Sequence, residues 1–187
     1  MRQPTRLCAT WMMGAVMLLA TASPTRAAGP GDPPGRWWFG VELGAGQLHQ
    51  TVLDFSHDSV RFYANFAVGV TVNPQLLVGV EAGGWLLEAS DWEDPSRGAA
   101  ISPLFVTARI YPSEMSTFHL RLGGGLVNAW DNAWGTSDWG TGFELGAGYD
   151  VRVGSRVYLT PFATFFDGKV GELDIRAFTA GVGLNWR

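Results

Sequence analysis

The most constraining feature of this chain is an alternation of residue character with a period of two, repeated in segments of about ten residues. In VRFYANFAVGVTV, Val60, Phe62, Ala64, Phe66, Val68, Val70 and Val72 alternate with Arg61, Tyr63, Asn65, Ala67, Gly69 and Thr71. Successive side chains of a strand point to opposite faces, so one face of this strand is apolar. The other carries Gly, Thr and Asn with isolated charges rather than the Lys/Glu/Ser mixture of a solvated surface. Small residues on that face suit the crowded lumen of a narrow barrel.

The pattern recurs along the chain. In WWFGVELGAG, Trp37, Phe39, Val41, Leu43 and Ala45 oppose Gly40, Glu42, Gly44 and Gly46. Leu76, Val78, Val80 and Ala82 oppose Gly79, Glu81 and Gly83; Leu104, Val106, Ala108 and Ile110 oppose Phe105, Thr107 and Arg109. Phe118, Leu120, Leu122 and Leu126 stand against His119, Arg121, Gly123 and Gly125, and Phe143, Leu145, Ala147, Tyr149 and Val151 against Glu144, Gly146, Gly148 and Asp150. The run from Val157 to Phe166 is apolar on both faces, which leaves its orientation open. The last strand sets Phe178, Ala180, Val182, Leu184 and Trp186 against Thr179, Gly181, Gly183 and Asn185. The connections alternate in length, short at Asn73–Gln75, Pro112–Thr117 and Arg152–Arg156, and longer at Gln47–Ser59, Glu88–Ala99, Val127–Trp139 and, marginally, Asp167–Glu172. Ten residues tilted near 40° rise about 25 Å, the height of an outer-membrane apolar band. The expected fold is an eight-stranded antiparallel up-and-down transmembrane β-barrel in the bacterial outer membrane. A soluble lipocalin-like barrel is the competing architecture, with the faces reversed.

The first 27 residues read as a secretory signal peptide. Arg2 and Arg6 precede the apolar run Leu7–Ala20, too short for a membrane-spanning helix, and small residues offer cleavage after position 22 or 27. Residues 28–36 (AGPGDPPGR) form a Pro/Gly-rich lead-in, and 37–187 the barrel. Cys8 falls inside the signal, so no disulfide is expected in the mature chain. Removing Arg2 and Arg6 takes the formal charge from −4 to −6, or to −7 if Arg26 also goes. With one lysine, Lys169, and that acidity, nucleic acid is excluded as a partner.

The glycine-alternating WWFGVELGAG, the strand end FVTARIYP, the following LRLGGGL and the closing AFTAGVGLNWR resemble the small outer-membrane β-barrel family of opacity-type proteins and the membrane domain of outer membrane protein A. The resemblance covers Trp37 to Arg187. It implies outer-membrane lipid as the surroundings and the barrel-assembly machinery as a partner, reading a closing strand that here ends Trp186-Arg187 where the family ends on an aromatic residue.

Two sets of residues carry candidate roles. Glu42, Arg61, Glu81, Arg109, Arg121, Glu144 and Asp150 fall on the lumen face, where buried charges require partners; they read as Arg–carboxylate networks plugging the interior, with a gated ion path as the alternative. Trp92, Asp94, Trp130, Asp131 and Trp134 are loop candidates for an extracellular ligand. Acidic loop residues lack the spacing of a calcium loop, and neither metal nor cofactor is expected. Lipid A deacylases use a His/Ser pair two residues apart with a carboxylate orienting the histidine. Here His49 precedes Thr51, and His57-Asp58-Ser59 has the spacing but sits in an expected loop; His119 has no serine partner. The residues favour a non-enzymatic protein with an envelope-structural or surface-interaction role, ahead of a narrow pore for small or apolar solutes and of a lipid A-modifying hydrolase.

Overall fold

The computed structural model describes residues 34–53, 55–87, 99–131 and 136–187. Their strands are β1 (Trp37–Val52), β2 (Phe55–Asn73), β3 (Leu76–Leu87), β4 (Ala99–Ile110), β5 (Phe118–Asp131), β6 (Thr136–Tyr149), β7 (Val151–Arg152), β8 (Val157–Val170) and β9 (Leu173–Trp186). Each long strand pairs antiparallel with its neighbours in sequence, β7 continues β6 alongside β8, and β1 pairs with β9. The sheet therefore closes on itself as an eight-stranded barrel. Closure leaves every strand paired on both sides, which an open sheet cannot do.

The period-two pattern becomes the two walls of the barrel. Trp37 is 69 % exposed while its neighbour Trp38 is fully buried. Val41, Leu43, Phe66, Val106, Leu122, Leu145, Val182 and Leu184 face outward, and Glu42, Glu81, Arg109, Arg121 and Glu144 face inward and are buried. An apolar exterior around a charged interior is the reverse of a soluble barrel. The run whose orientation the sequence left open resolves here. Tyr158, Thr160, Phe162, Thr164, Phe166 and Val170 of β8 point inward, while Val157, Leu159, Pro161, Ala163 and Phe165 line the exterior. Both faces are apolar because part of the lumen is apolar too.

The connections expected to be short, Asn73–Gln75, Pro112–Thr117 and Arg152–Arg156, lie at one end, here the turn end. Tight turns are not confined to it: at the other end Asp167 to Val170 stay paired in β8, and only Gly171 and Glu172 join it to β9. The β2–β3 turn is closed by Asn73 Oδ1, which accepts from the Gln75 amide at 2.9 Å, a local cap that only a short polar side chain provides. At the opposite hairpin end the strands run further than the sequence suggests. The expected loop Gln47–Ser59 is a continuous hairpin, paired in register as far as Val52 opposite Phe55. Trp130 and Asp131 close β5 rather than lying in a loop, and Asp138 and Trp139 belong to β6. In the β1–β2 hairpin the outward residues His49, Thr51, Ser56 and Asp58 are polar yet keep the ladder, so polarity alone misplaces the strand ends there. Trp92, Asp94, Trp134, the signal and most of the lead-in lie outside the described residues.

Candidate functional site

The middle of the lumen holds a charge network whose charged members come from five strands, β1, β3, β4, β5 and β6. Arg121 of β5 is its hub. Its Nε donates to Glu144 Oε1 at 2.5 Å, its Nη1 donates to both Glu42 oxygens at 2.9 and 2.7 Å, and its Nη2 lies 2.6 Å from Glu81 Oε2. Arg109 adds an Nη2 contact to Glu42 at 3.1 Å and to Glu81 at 3.4 Å, while its Nη1 donates to Asn185 Oδ1 at 2.7 Å. Three carboxylates thus face two guanidiniums. Asn65 reduces the imbalance by donating its amide to Glu42 and Glu81, both at 3.1 Å. The planar guanidinium fork suits such shared recognition in a way a lysine ammonium does not. Beneath it the Arg109 guanidinium lies 4.5 Å from the centre of the Trp38 ring.

Asp150 belongs to a second cluster at the turn end. Its Oδ2 accepts from Tyr111 at 2.7 Å and from Arg187 Nη2 at 2.6 Å, and its Oδ1 accepts from Thr160 at 2.7 Å. His119 Nδ1 stands 3.6 Å away, and Arg187 also donates to the Tyr111 hydroxyl. Burial alone would raise the Asp150 carboxyl; Arg187, His119 and Thr160 outweigh it and hold the group well below the usual carboxylate range. Burial, with the Asp150 charge, pushes the Tyr111 phenol up. Asn185 links the two clusters, since its Nδ2 donates to Thr160 at 2.7 Å.

Toward the hairpin end the lumen changes character. Tyr63, Trp85, Phe105, Phe162 and Phe166 pack across it, with Trp85 centred 5.3 Å from Tyr63 and 5.0 Å from Phe166. The Trp85 indole donates to Thr179 at 3.1 Å. Ile101, Val127, Val170 and Ile175 complete this apolar layer. Arg61 occupies the next inward position of β2 beyond Tyr63 and is half-buried.

Of the seven lumen residues singled out in the sequence, five are therefore brought together, Asp150 joins a different cluster, and Arg61 stands at the outer edge of the aromatic layer. Arg187, Tyr111, His119, Asn65 and Asn185 were missed. Strand parity places His119, Asn65 and Asn185 on the lumen face, so that signal was present; Tyr111 and Arg187 lie beyond regular strands, where alternation stops. Trp130 is 44 % exposed at the end of β5.

On the outside of the barrel, the apolar belt gives way at the hairpin end to two polar rows. One crosses Asp58, His49, Arg176 and Asp167; the next crosses Ser56, Thr51, Asp174 and Lys169. Asp58 Oδ1 lies 2.6 Å from His49 Nδ1, and His49 Nε2 lies 3.3 Å from the Thr51 hydroxyl. Arg176 Nε donates to Asp167 at 2.8 Å, and Lys169 pairs with Asp174 at 3.4 Å. A cleft of about 300 Å³ is lined by His49, Thr51, Asp167, Asp174 and Arg176. The spaced pair His57 and Ser59 does not join this group. Both belong to the inward set of β2, Asp58 points the other way, and the buried Ser59 hydroxyl has no hydrogen-bond partner among the described residues. Among those residues no group of three or more His, Cys, Asp or Glu is placed to hold a metal ion.

No protein-family model and no curated protein matches the chain. Its fold is similar to those of solved outer-membrane barrels. Neisserial surface protein A superposes with a TM-score of 0.54 at 19 % identity, covering 79 % of this chain and 96 % of that one. Ail, the attachment invasion locus protein of Yersinia pestis, superposes with a TM-score of 0.51 at 12 % identity, covering 82 % and 100 %. At these identities the likeness is one of fold.

Proposed function

We propose that this protein is an integral barrel of the bacterial outer membrane, sealed to solutes and acting at its hairpin end, where it faces the cell exterior. The observation that carries this reading is the inverted distribution of residues. A belt of Val, Leu, Ile and Phe surrounds the molecule, while charges are buried inside it. Such an exterior is unfavourable in water and suited to hydrocarbon. The sealing follows from two stacked plugs, one ionic and one aromatic, which fill the bore of a barrel of this strand number. The expected signal peptide supports export, and β9, with outward Phe178, Val182, Leu184 and Trp186, is the strand offered to the assembly machinery.

The test is electrophoretic mobility of outer-membrane fractions with and without boiling, followed by planar-bilayer recording of the purified protein. A compact band that slows on boiling, with no sustained conductance, supports both halves of the reading. Recovery in the soluble fraction without a shift overturns the membrane placement, and stable conductance overturns the sealing.

A further inference from the structure

We propose that Asp58, His49 and Thr51 form a carboxylate–imidazole–hydroxyl relay on the outside of the barrel that cleaves O-acyl esters of membrane lipids. This rests on the outer-membrane placement above and assigns its outer end a chemistry.

Three features converge. First, the atoms are in relay order. Asp58 sits on one ring nitrogen of His49 at 2.6 Å, which fixes the tautomer with a proton on Nδ1, and Nε2 faces the Thr51 hydroxyl at 3.3 Å. A base oriented by a carboxylate and in reach of a hydroxyl is the geometry that activates an otherwise weak nucleophile. Second, the relay opens onto a cleft that also contains Arg176, directly across the ladder from His49. Its Nε is held by Asp167, and the other N–H groups of the guanidinium are the donors offered to a developing oxyanion. Third, the position suits a lipid. All three residues face outward, in the first polar rows beyond the apolar belt, which on the outer-membrane placement proposed above is the boundary between a lipid's headgroup esters and its chains. Below them Phe178 and Phe165 pair across the ladder, and the next outward row is Ala45, Ala180, Ala163 and Ala147, a shallow strip along which an acyl chain can lie.

The step balances without any co-reactant but water. Thr51 Oγ bonds to the ester carbonyl carbon as its proton passes to His49 Nε2. The tetrahedral intermediate collapses, the bond to the lipid alcohol breaks, and His49 returns the proton to the departing oxygen. Water, deprotonated by the same imidazole, then attacks the acyl-Thr51 ester, releasing the fatty acid and restoring the hydroxyl. Asp58 is a positioning residue throughout.

The experiment uses the folded, heat-shifting protein in detergent with two probes, p-nitrophenyl palmitate and lipid extracted from bacterial outer membranes, and fatty-acid release is measured by mass. The wild type is expected to release fatty acid from the lipid extract. Thr51→Val and His49→Gln should lower release at least about 100-fold, Thr51→Ser should retain it, and Asp58→Asn should lower kcat with little change in KM. All four variants should keep the wild-type heat shift, because the altered side chains lie on the exposed rim. No release by heat-shifted wild type, or release unchanged in Thr51→Val, overturns the relay while leaving the outer-membrane reading intact. Absence of the heat shift in the wild type overturns that reading itself.

Discussion

Arg109 illustrates how much one buried side chain holds in this lumen. It reaches two carboxylates and Asn185, and its flat face rests on Trp38. Arg109→Ala removes one of two guanidiniums from a site with three carboxylates, so the loss should be about 3–5 kcal/mol, the usual result of orphaning a buried charge. The denaturant midpoint of the folded, detergent-solubilised protein measures it. Adding Glu81→Gln should recover part of that loss, because one of the two carboxylates then in excess is made neutral; additive losses would show that the two side chains do not interact. A second single position is set by space rather than charge. Gly79 backs the Trp38 ring, and a Cβ there would lie 2.8 Å from Trp38 Cζ2 and 2.5 Å from the Val68 carbonyl oxygen. Gly79→Ala should therefore destabilise the barrel by about 1–3 kcal/mol through overpacking, seen as a lower midpoint and a less compact unboiled band.

The strand ends show where reading the chain succeeds and where it stops. Alternation identifies the central part of each long strand and its lumen face, since lipid and lumen impose opposite demands on adjacent residues. It fails at the hairpin end because His49, Thr51 and Asp58 are polar and outward, which in sequence looks like a loop. It also fails in β8, where Phe162 and Phe166 face an apolar lumen layer that no local pattern reveals. The Asp58–His49 contact depends on the register that sets those two residues opposite each other, nine positions apart. Spacing alone pointed instead to His57 and Ser59, whose intervening Asp58 faces away from both. The bend between β6 and β7 carries its own consequence, because Asp150 there meets Arg187, Tyr111, His119 and Thr160. Its carboxyl is held below the ordinary value of 3.8, so its contribution is complete above that value and disappears as pH falls through the lower, folded one. The stability difference between wild type and Asp150→Asn should be constant from neutral pH down to about 5 and shrink progressively below about 4. A difference that grows on acidification would mean that Asp150 is not held as an anion by this cluster.

The complete barrel is a cylinder with two apolar parts, the outer belt and the inner aromatic layer, separated by a wall one strand thick. The wall is thin enough that neighbouring residues live in opposite environments, as Trp37 and Trp38 do. The outward residues of β5 define the depth of the belt. They run from Phe118 at the turn end through Leu120 and Leu122 to Leu126, after which Asn128 begins the polar rim, level with Ser102 of β4. Leu122 is thus near the midplane and 44 % exposed to the surroundings. If those surroundings are lipid, a charge at the two positions has very different effects. Leu122→Arg should cost about 2–4 kcal/mol, the midplane value for an arginine on the lipid face, and Ser102→Arg about 0–1 kcal/mol at the interface. Refolding titrations into lipid vesicles measure both, and the ordering matters more than either figure. In a soluble barrel the two positions would both be solvated, and an arginine at either would change stability by similarly small amounts. Equal effects at Leu122 and Ser102 would therefore remove the belt from the membrane, and with it the reason the polar rows at His49 and Arg176 stand beside a lipid headgroup.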